Sequence, residues 1–197
     1  MKYDAIIIGS GQSGTPLAFR LASENQKVAF IEKSKVGGTC VNNGCTPTKS
    51  YVASARRMWD AHHGESMGIY IPEGAKTEMK KVKDRKDKIV KASVDGIMDG
   101  INDSENIHFF NGTAKFISDK SVKINDQELT ADKIYLNVGA RPRIPDGFEN
   151  VDYLTNETIL ELEEVPDHLI MIGGSYIGLE FGQMFHRFGS KVTIIEQ

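Results

Sequence analysis

The chain has 197 residues, 40% of them apolar, and its 24 lysines and arginines nearly balance 27 acidic residues for a net charge of −3. That length carries one large or two small domains with proper cores, and the charge balance argues against a nucleic-acid surface. No apolar run reaches membrane-spanning length, and the opening MKYDAIIIGSG runs into a strand without the apolar core and cleavage site of a leader peptide. The expectation is a soluble cytoplasmic protein with no membrane partner.

Residues 3–8 form a short apolar run of the kind buried in a parallel sheet. They feed Gly9-Ser10-Gly11-Gln12-Ser13-Gly14, and residues 13–24 then carry helical spacing in Leu17, Ala18, Leu21 and Ala22. A second strand over 27–31 ends at Glu32, 18 positions beyond Gly14. A lone G-x-G-x-x-G is weak evidence. Between a strand and a helix, with an acid at this distance, it makes a full dinucleotide-binding unit. Gly9 serves the tight turn, Gly11 the approach of a pyrophosphate to the backbone, and Gly14 the packing of helix on strand. The helix N-terminus holds phosphate, and Glu32 can accept hydrogen bonds from a ribose.

Residues 37–49, GGTCVNNGCTPTK, hold both cysteines, Cys40 and Cys45. In a regular α-helix their Cα atoms would lie about 8–9 Å apart, beyond the limit of about 7 Å for a disulfide. Either the pair is not bonded or the backbone leaves the helix between them, which Gly44 and the flanking asparagines permit. A helix over 49–61 follows Pro47. Cys45 in its first turn gains a thiolate-favouring field from the helix N-terminus and from Lys49. Two buried, inert thiols are the plain alternative. A zinc site is not indicated, because His62, His63, His108, His168 and His186 lack ligand spacing, and no metal ligands are assigned.

The helix fades at His62-His63-Gly64, read as a solvated end, and residues 72–74 read as a loop. Residues 77–101 read as a long helix with Met79, Val82, Ile89, Val90, Val94, Ile97, Met98 and Ile101 on its apolar side. Its basic run over 80–91 is interleaved with Asp84 and Asp87 and reads as a solvated face. Short alternating runs at 108–110, 114–117 and 121–124 suggest a β-meander, and 133–138 another buried strand. A linker, a short helix over 158–163 and a turn at Pro166 come next. Then the opening unit returns: residues 168–178 align with 4–14 without a gap, at a constant offset of 164, and the second copy ends at Glu196. Ser175 replaces the middle glycine.

The motif built from Gly37, Gly38, Thr39, Cys40, Val41, Asn42, Gly44, Cys45, Pro47 and Lys49 resembles the redox-active segment of the pyridine nucleotide-disulfide oxidoreductases. These flavoproteins include dihydrolipoamide dehydrogenase, glutathione reductase and mercuric reductase. Gly139, Pro142 and Pro145 match a further family turn, with Val138 where threonine is usual. The resemblance implies an α/β protein: a Rossmann-like FAD-binding domain over 1–147, with parallel sheet, helices and β-meander, then the first βαβ of a Rossmann-like NAD(P)-binding domain over 148–197. FAD contacts are implied for Gly9, Gly11, Ser13, Gly14, Glu32, Lys33, Gly38, Thr39, Lys49, Ala114 and Gly139. NAD contacts are implied for Gly173, Ser175, Tyr176, Gly178, Glu180 and Glu196. NADH is favoured because Glu196 would repel the 2′-phosphate of NADPH.

By the same resemblance Cys45 lies against the flavin, the more accessible Cys40 attacks the substrate, and Glu180 pairs with Lys49. The implied substrate is a small-molecule or protein disulfide, a dithiol or a metal ion. Family members are homodimers, and their dimerisation domain, with its His-Glu acid-base pair, has no counterpart in these residues. The expectation is therefore the N-terminal portion of such an oxidoreductase. A non-catalytic nucleotide-binding remnant is the competing one.

Overall fold

A computed structural model describes residues 1–70 and 75–197; the loop expected at 72–74 lies outside the described residues. In chain order it holds β1 (Lys2–Ile8), α1 (Gly14–Ser23), β2 (Val28–Glu32), α2 (Gly38–Asn42), α3 (Cys45–His62) and α4 (Met79–Asn102). There follow β3 (Ile107–Asn111), β4 (Ala114–Ser118), β5 (Ser121–Ile124), β6 (Gln127–Leu136), β7 (His168–Ile172), α5 (Tyr176–Phe188) and β8 (Lys191–Ile195). Two compact units divide the chain, Met1–Asn42 with Val90–Arg143, and Asn43–Ile89 with Ile144–Gln197. No helix among the described residues is long and apolar enough to cross a membrane.

The first unit is a six-stranded sheet in the order β3-β2-β1-β6-β5-β4. β3, β2, β1 and β6 pair in parallel, while β5 and β4 continue antiparallel. Every residue of β2 is buried, as a central strand covered on both faces requires. On one face Ala5, Ile7, Val28 and Phe30 pack with Ala18 and Leu21 of α1 and Ile101 of α4. On the other, Ile6, Ala29 and Ile31 pack with Val122, Ile124 and Leu129 of the antiparallel arm. Each Val, Leu, Ile or Phe among them contributes about 1.5–3 kcal/mol by leaving water.

The sheet corrects two expectations. β3 is not part of the meander but a parallel edge strand, in register with β2 from Val28↔Ile107 to Glu32↔Asn111. Residues 133–136 are not a separate buried strand but the second half of β6. β5 pairs with residues 127–130 of β6, and the last backbone bond from that side is Ala131 N to Lys120 O at 3.0 Å. Further along, β6 pairs with β1, and Leu136 and Val138 are 60% and 69% exposed.

In the second unit β7 and β8 pair in parallel. The apolar side of α5 (Phe181, Met184, Phe185, Phe188) packs with Leu169 of β7, Tyr51 and Ala55 of α3, Met79 of α4, and Ile159 and Leu160. The helix expected over 158–163 is a 3-10 turn, Thr158–Glu161, and it sets the fate of the basic run on α4. Lys86, expected in solvent, is 2% exposed, with Nζ 2.7 Å from both Asp87 and Glu161. Lys83 reaches the same two carboxylates at 2.9 and 3.1 Å. Burial pushes the Asp87 and Glu161 carboxyls up, but hydrogen bonds from the two lysines outweigh it and hold both low. Tyr51, fully buried, donates to the Leu160 carbonyl at 2.9 Å. Its phenol is pushed up by burial and then by the Glu161 and Asp87 charges.

The repeat seen in the sequence recurs bond for bond. Gly9 N donates to Ile31 O at 2.8 Å, and Gly173 N to Ile195 O at 2.8 Å. Thr15 N→Gly11 O (3.0 Å) returns as Leu179 N→Ser175 O (2.9 Å), and Gln26 N→Leu21 O (3.1 Å) as Ser190 N→Phe185 O (3.0 Å). Asn25, with φ +60°, has its counterpart in Gly189 at φ +117°, so both helices end on a left-handed residue.

Candidate functional site

In the first unit the glycine loop after β1 is fixed by close contacts. A Cβ at Gly14 would lie 1.9 Å from Gly9 O, and one at Gly9 would lie 2.1 Å from Asn137 O. A Cβ at Gly11 would meet nothing within 4 Å. The loop is therefore shut on the protein side and open at Gly11. α1 begins at Gly14 with no side-chain cap and no acid in its first turn, leaving N–H groups and a positive dipole end for an anion. The 37–38 turn is held against this loop: Gly37 N donates to Ser10 O and Oγ at 3.2 Å, and a Cβ at Gly38 would lie 2.6 Å from Gly11 Cα. Asn42 steadies the turn, its Nδ2 donating to Val36 O and Gly38 O at 2.9 Å.

Glu32 is 7% exposed, and its carboxylate is saturated. Oε2 accepts from Ser10 N at 2.9 Å and Ser10 Oγ at 2.7 Å; Oε1 accepts from Ser34 N at 2.9 Å and Ser34 Oγ at 3.1 Å. Burial pushes this carboxyl up, but the four bonds together win and hold it below its ordinary value. Ser10 and Ser34 were not singled out from the sequence, and their only signal was a hydroxyl beside each end of the unit. Gly9, Gly11, Gly14, Glu32 and Gly38 thus come together. Ser13, Lys33 and Thr39 are exposed, Ala114 opens β4 half-buried, and Gly139 is exposed with φ +69°.

The motif of 37–49 folds as two helices broken at Asn43-Gly44. The short α2 was not expected. Cys40 lies on it half-buried, while Cys45 is the first residue of α3 and exposed. The expected order of accessibility is therefore reversed, because α3 begins at Cys45 itself and leaves it on an uncapped helix end. In the second unit Lys49 stands one turn beyond Cys45, on the same helix face, and its Nζ donates to Glu180 Oε1 of α5. Pro47 and Thr48 are buried between them.

The second glycine loop repeats the first. A Cβ at Gly178 would lie 2.2 Å from Gly173 O. Gly173 has φ +103° against +100° at Gly9. Ser175 caps α5 in extended geometry, with no side-chain cap bond and no acid in the first turn. Ser175, at the position equivalent to Gly11, is exposed. Gly174 N donates to Glu196 Oε2, as Ser10 N does to Glu32. Glu196 and Tyr176 are exposed. Both loops end at a helix N-terminus without a side-chain cap, as a pyrophosphate needs; the middle position is open in the first and carries Ser175 in the second.

The pyridine nucleotide-disulphide oxidoreductase family description matches residues 3–197. The chain belongs to this family. Among its relatives, a mercuric reductase of Lysinibacillus sphaericus is 34% identical over 198 residues, covering 100% of this chain and 36% of the relative. A dihydrolipoyl dehydrogenase of Chlamydia trachomatis is 36% identical over 201 residues, covering 98% and 43%. In fold the chain is similar to the Cu(II) complex of the HOCl-induced flavoprotein disulfide reductase RclA from Escherichia coli. The TM-score there is 0.84 at 35% identity, over 100% of this chain and 42% of RclA. The chain thus spans well under half the length of these oxidoreductases.

Proposed function

We propose that this chain supplies the FAD-binding part and the opening of the NADH-binding part of a flavin-dependent oxidoreductase acting through Cys40 and Cys45. When bound, the flavin would relay two electrons from the nicotinamide to the sulfur pair. The observation that carries the reading is Cys45 exposed on the uncapped N-terminus of α3, one turn before the Lys49–Glu180 pair, in a chain with two dinucleotide loops. Gly11 and the α1 N-terminus would hold the FAD pyrophosphate. Glu32 would meet the ribose where the Ser10 and Ser34 hydroxyls can turn aside, since a backbone N–H cannot. Gly173, Ser175 and Gly178 would hold the nicotinamide dinucleotide, Tyr176 would cover its ring, and Glu196 would disfavour a 2′-phosphate.

In the thiol step one cysteine thiolate attacks a sulfur of the substrate disulfide. The other displaces the substrate's second thiolate from the mixed disulfide, closing Cys40–Cys45 and releasing two thiol groups. Cys40 is assigned the attack and Cys45 the flavin side. Lys49, oriented by Glu180, would place its positive charge beside Cys45. A soft metal ion is the second substrate class, favoured by the similarity to mercuric reductase.

The test is FAD binding to this chain followed by flavin fluorescence, then NADH oxidation with an aromatic disulfide as acceptor, measured on the whole oxidoreductase of which the chain is proposed to be part. Saturable flavin binding with turnover abolished in both Cys40→Ser and Cys45→Ser supports the assignment. Flavin binding with turnover unaffected by either substitution would sink the cysteine roles, and no flavin binding would sink the whole reading.

A further inference from the structure

The far ends of α3 and α5 border a cleft of about 590 Å³ within the second unit. Trp59 lies 14 residues along α3 from Cys45, about 21 Å at helical rise. Trp59 and His63 are stacked, ring centroids 3.6 Å apart and planes 14° apart, and the Arg187 guanidinium lies 5.4 Å from the Trp59 ring centroid. Among the described residues Arg187 makes no ion pair or side-chain hydrogen bond, and its Nε is buried without a partner. Thr77 Oγ1, on the same lining, is also buried and unpartnered. Lys76 adds a second cation to the lining, against Asp167 as its carboxylate. His62, His63 and His186 do not form a metal cluster among the described residues.

A guanidinium offers five donors in a planar fork that matches paired oxygens. Here the indole face holds that fork in place, so little rotamer freedom remains to be lost on binding. We propose that this cleft binds a small organic oxyanion, a carboxylate or phosphate ester with an apolar body. Its paired oxygens accept from Arg187, Thr77 donates a further hydrogen bond, and the body lies along Met58, Val165 and Phe188 of the lining.

Trp59 is the chain's single tryptophan, so its emission reports this cleft directly. The full chain is titrated with benzoate and with phenyl phosphate, with sodium chloride at matched ionic strength as control. A saturable change with either probe is expected, and the probe that binds identifies the anion class. Arg187→Lys keeps the charge over Trp59 but removes the fork, and should weaken binding about tenfold or more, one charge-assisted bond's worth. Thr77→Val, nearly isosteric, should weaken it by a smaller factor with the circular dichroism unchanged. No saturable change with either probe, a change that chloride reproduces, or equal affinity in Arg187→Lys overturns the proposal.

Discussion

Replacing Glu32 by glutamine tests what holds the first nucleotide unit together. Glutamine keeps one acceptor oxygen, which can serve either Ser10 or Ser34. Its NH₂ then faces the other serine, whose hydroxyl can turn to accept but whose backbone N–H cannot. One backbone N–H, buried at Ser10 or part-buried at Ser34, is left unpaired, at a cost of about 1–3 kcal/mol where water does not reach it, and the surviving bonds lose their charge assistance. Glutamine escapes the burial penalty of a carboxylate, which offsets part of this, so a net loss of about 2 kcal/mol is expected at pH 7. For a protein of this size that lowers Tm by about 4–8 °C.

The pH dependence carries the sharper test. Because Glu32 is held below its ordinary value in the folded protein, the unfolded chain binds its proton more tightly. Its contribution is therefore complete above the unfolded value of about 4.3 and is lost as the pH falls through the lower folded value. Thermal melts by circular dichroism should show the gap between wild type and Glu32→Gln at full width at pH 7 and shrinking below about pH 4. A gap that stays constant or widens in acid would refute the reasoning.

Gly14→Ala drives a Cβ to 1.9 Å from Gly9 O and should cost about 3 kcal/mol, near the upper end for overpacking, seen in denaturant melts. Gly11→Ala meets nothing, so its melting point should hold while FAD affinity in a fluorescence titration falls. In the flavin-free reduced chain, iodoacetamide should modify exposed Cys45 before half-buried Cys40, as peptide mapping will read out. Glu161→Ala leaves Lys86, 3% exposed at its side chain, with Asp87 alone. A loss of about 1–3 kcal/mol is expected in urea titrations, below the range for a fully buried pair because both carboxylates are partly exposed.

Local signals made the two strand-loop-helix-strand units readable. The turn glycines, the 3.6-residue spacing of Leu17, Ala18, Leu21 and Ala22, and the terminal glutamates depend on near neighbours, and the offset of 164 joined the copies. β3 was misplaced because alternation in His108-Phe109-Phe110 is the same for parallel and antiparallel pairing. Its partner is chosen by β2, about 80 residues earlier. Lys86 read as solvated because lysine among charges normally is, whereas its burial depends on Glu161, 75 positions away. The Glu32 carboxylate was legible as a hydrogen-bond acceptor, but its four protein donors were not. Hydroxyls within two residues of each end are too common to read as a design.

The matched glutamates are held by the protein to different degrees. Glu32 is committed to four bonds that hold its own loop, so a substitution there that altered nucleotide choice would also damage folding. Glu196 shares the bond to its loop but is otherwise exposed. On the proposed reading, a single replacement at 196 could open the second copy to a phosphorylated coenzyme, whereas one at 32 would first cost the loop its four bonds. In a library of variants, tolerance at position 196 beside intolerance at 32 would be the trace of a duplication whose halves have unequal freedom to change.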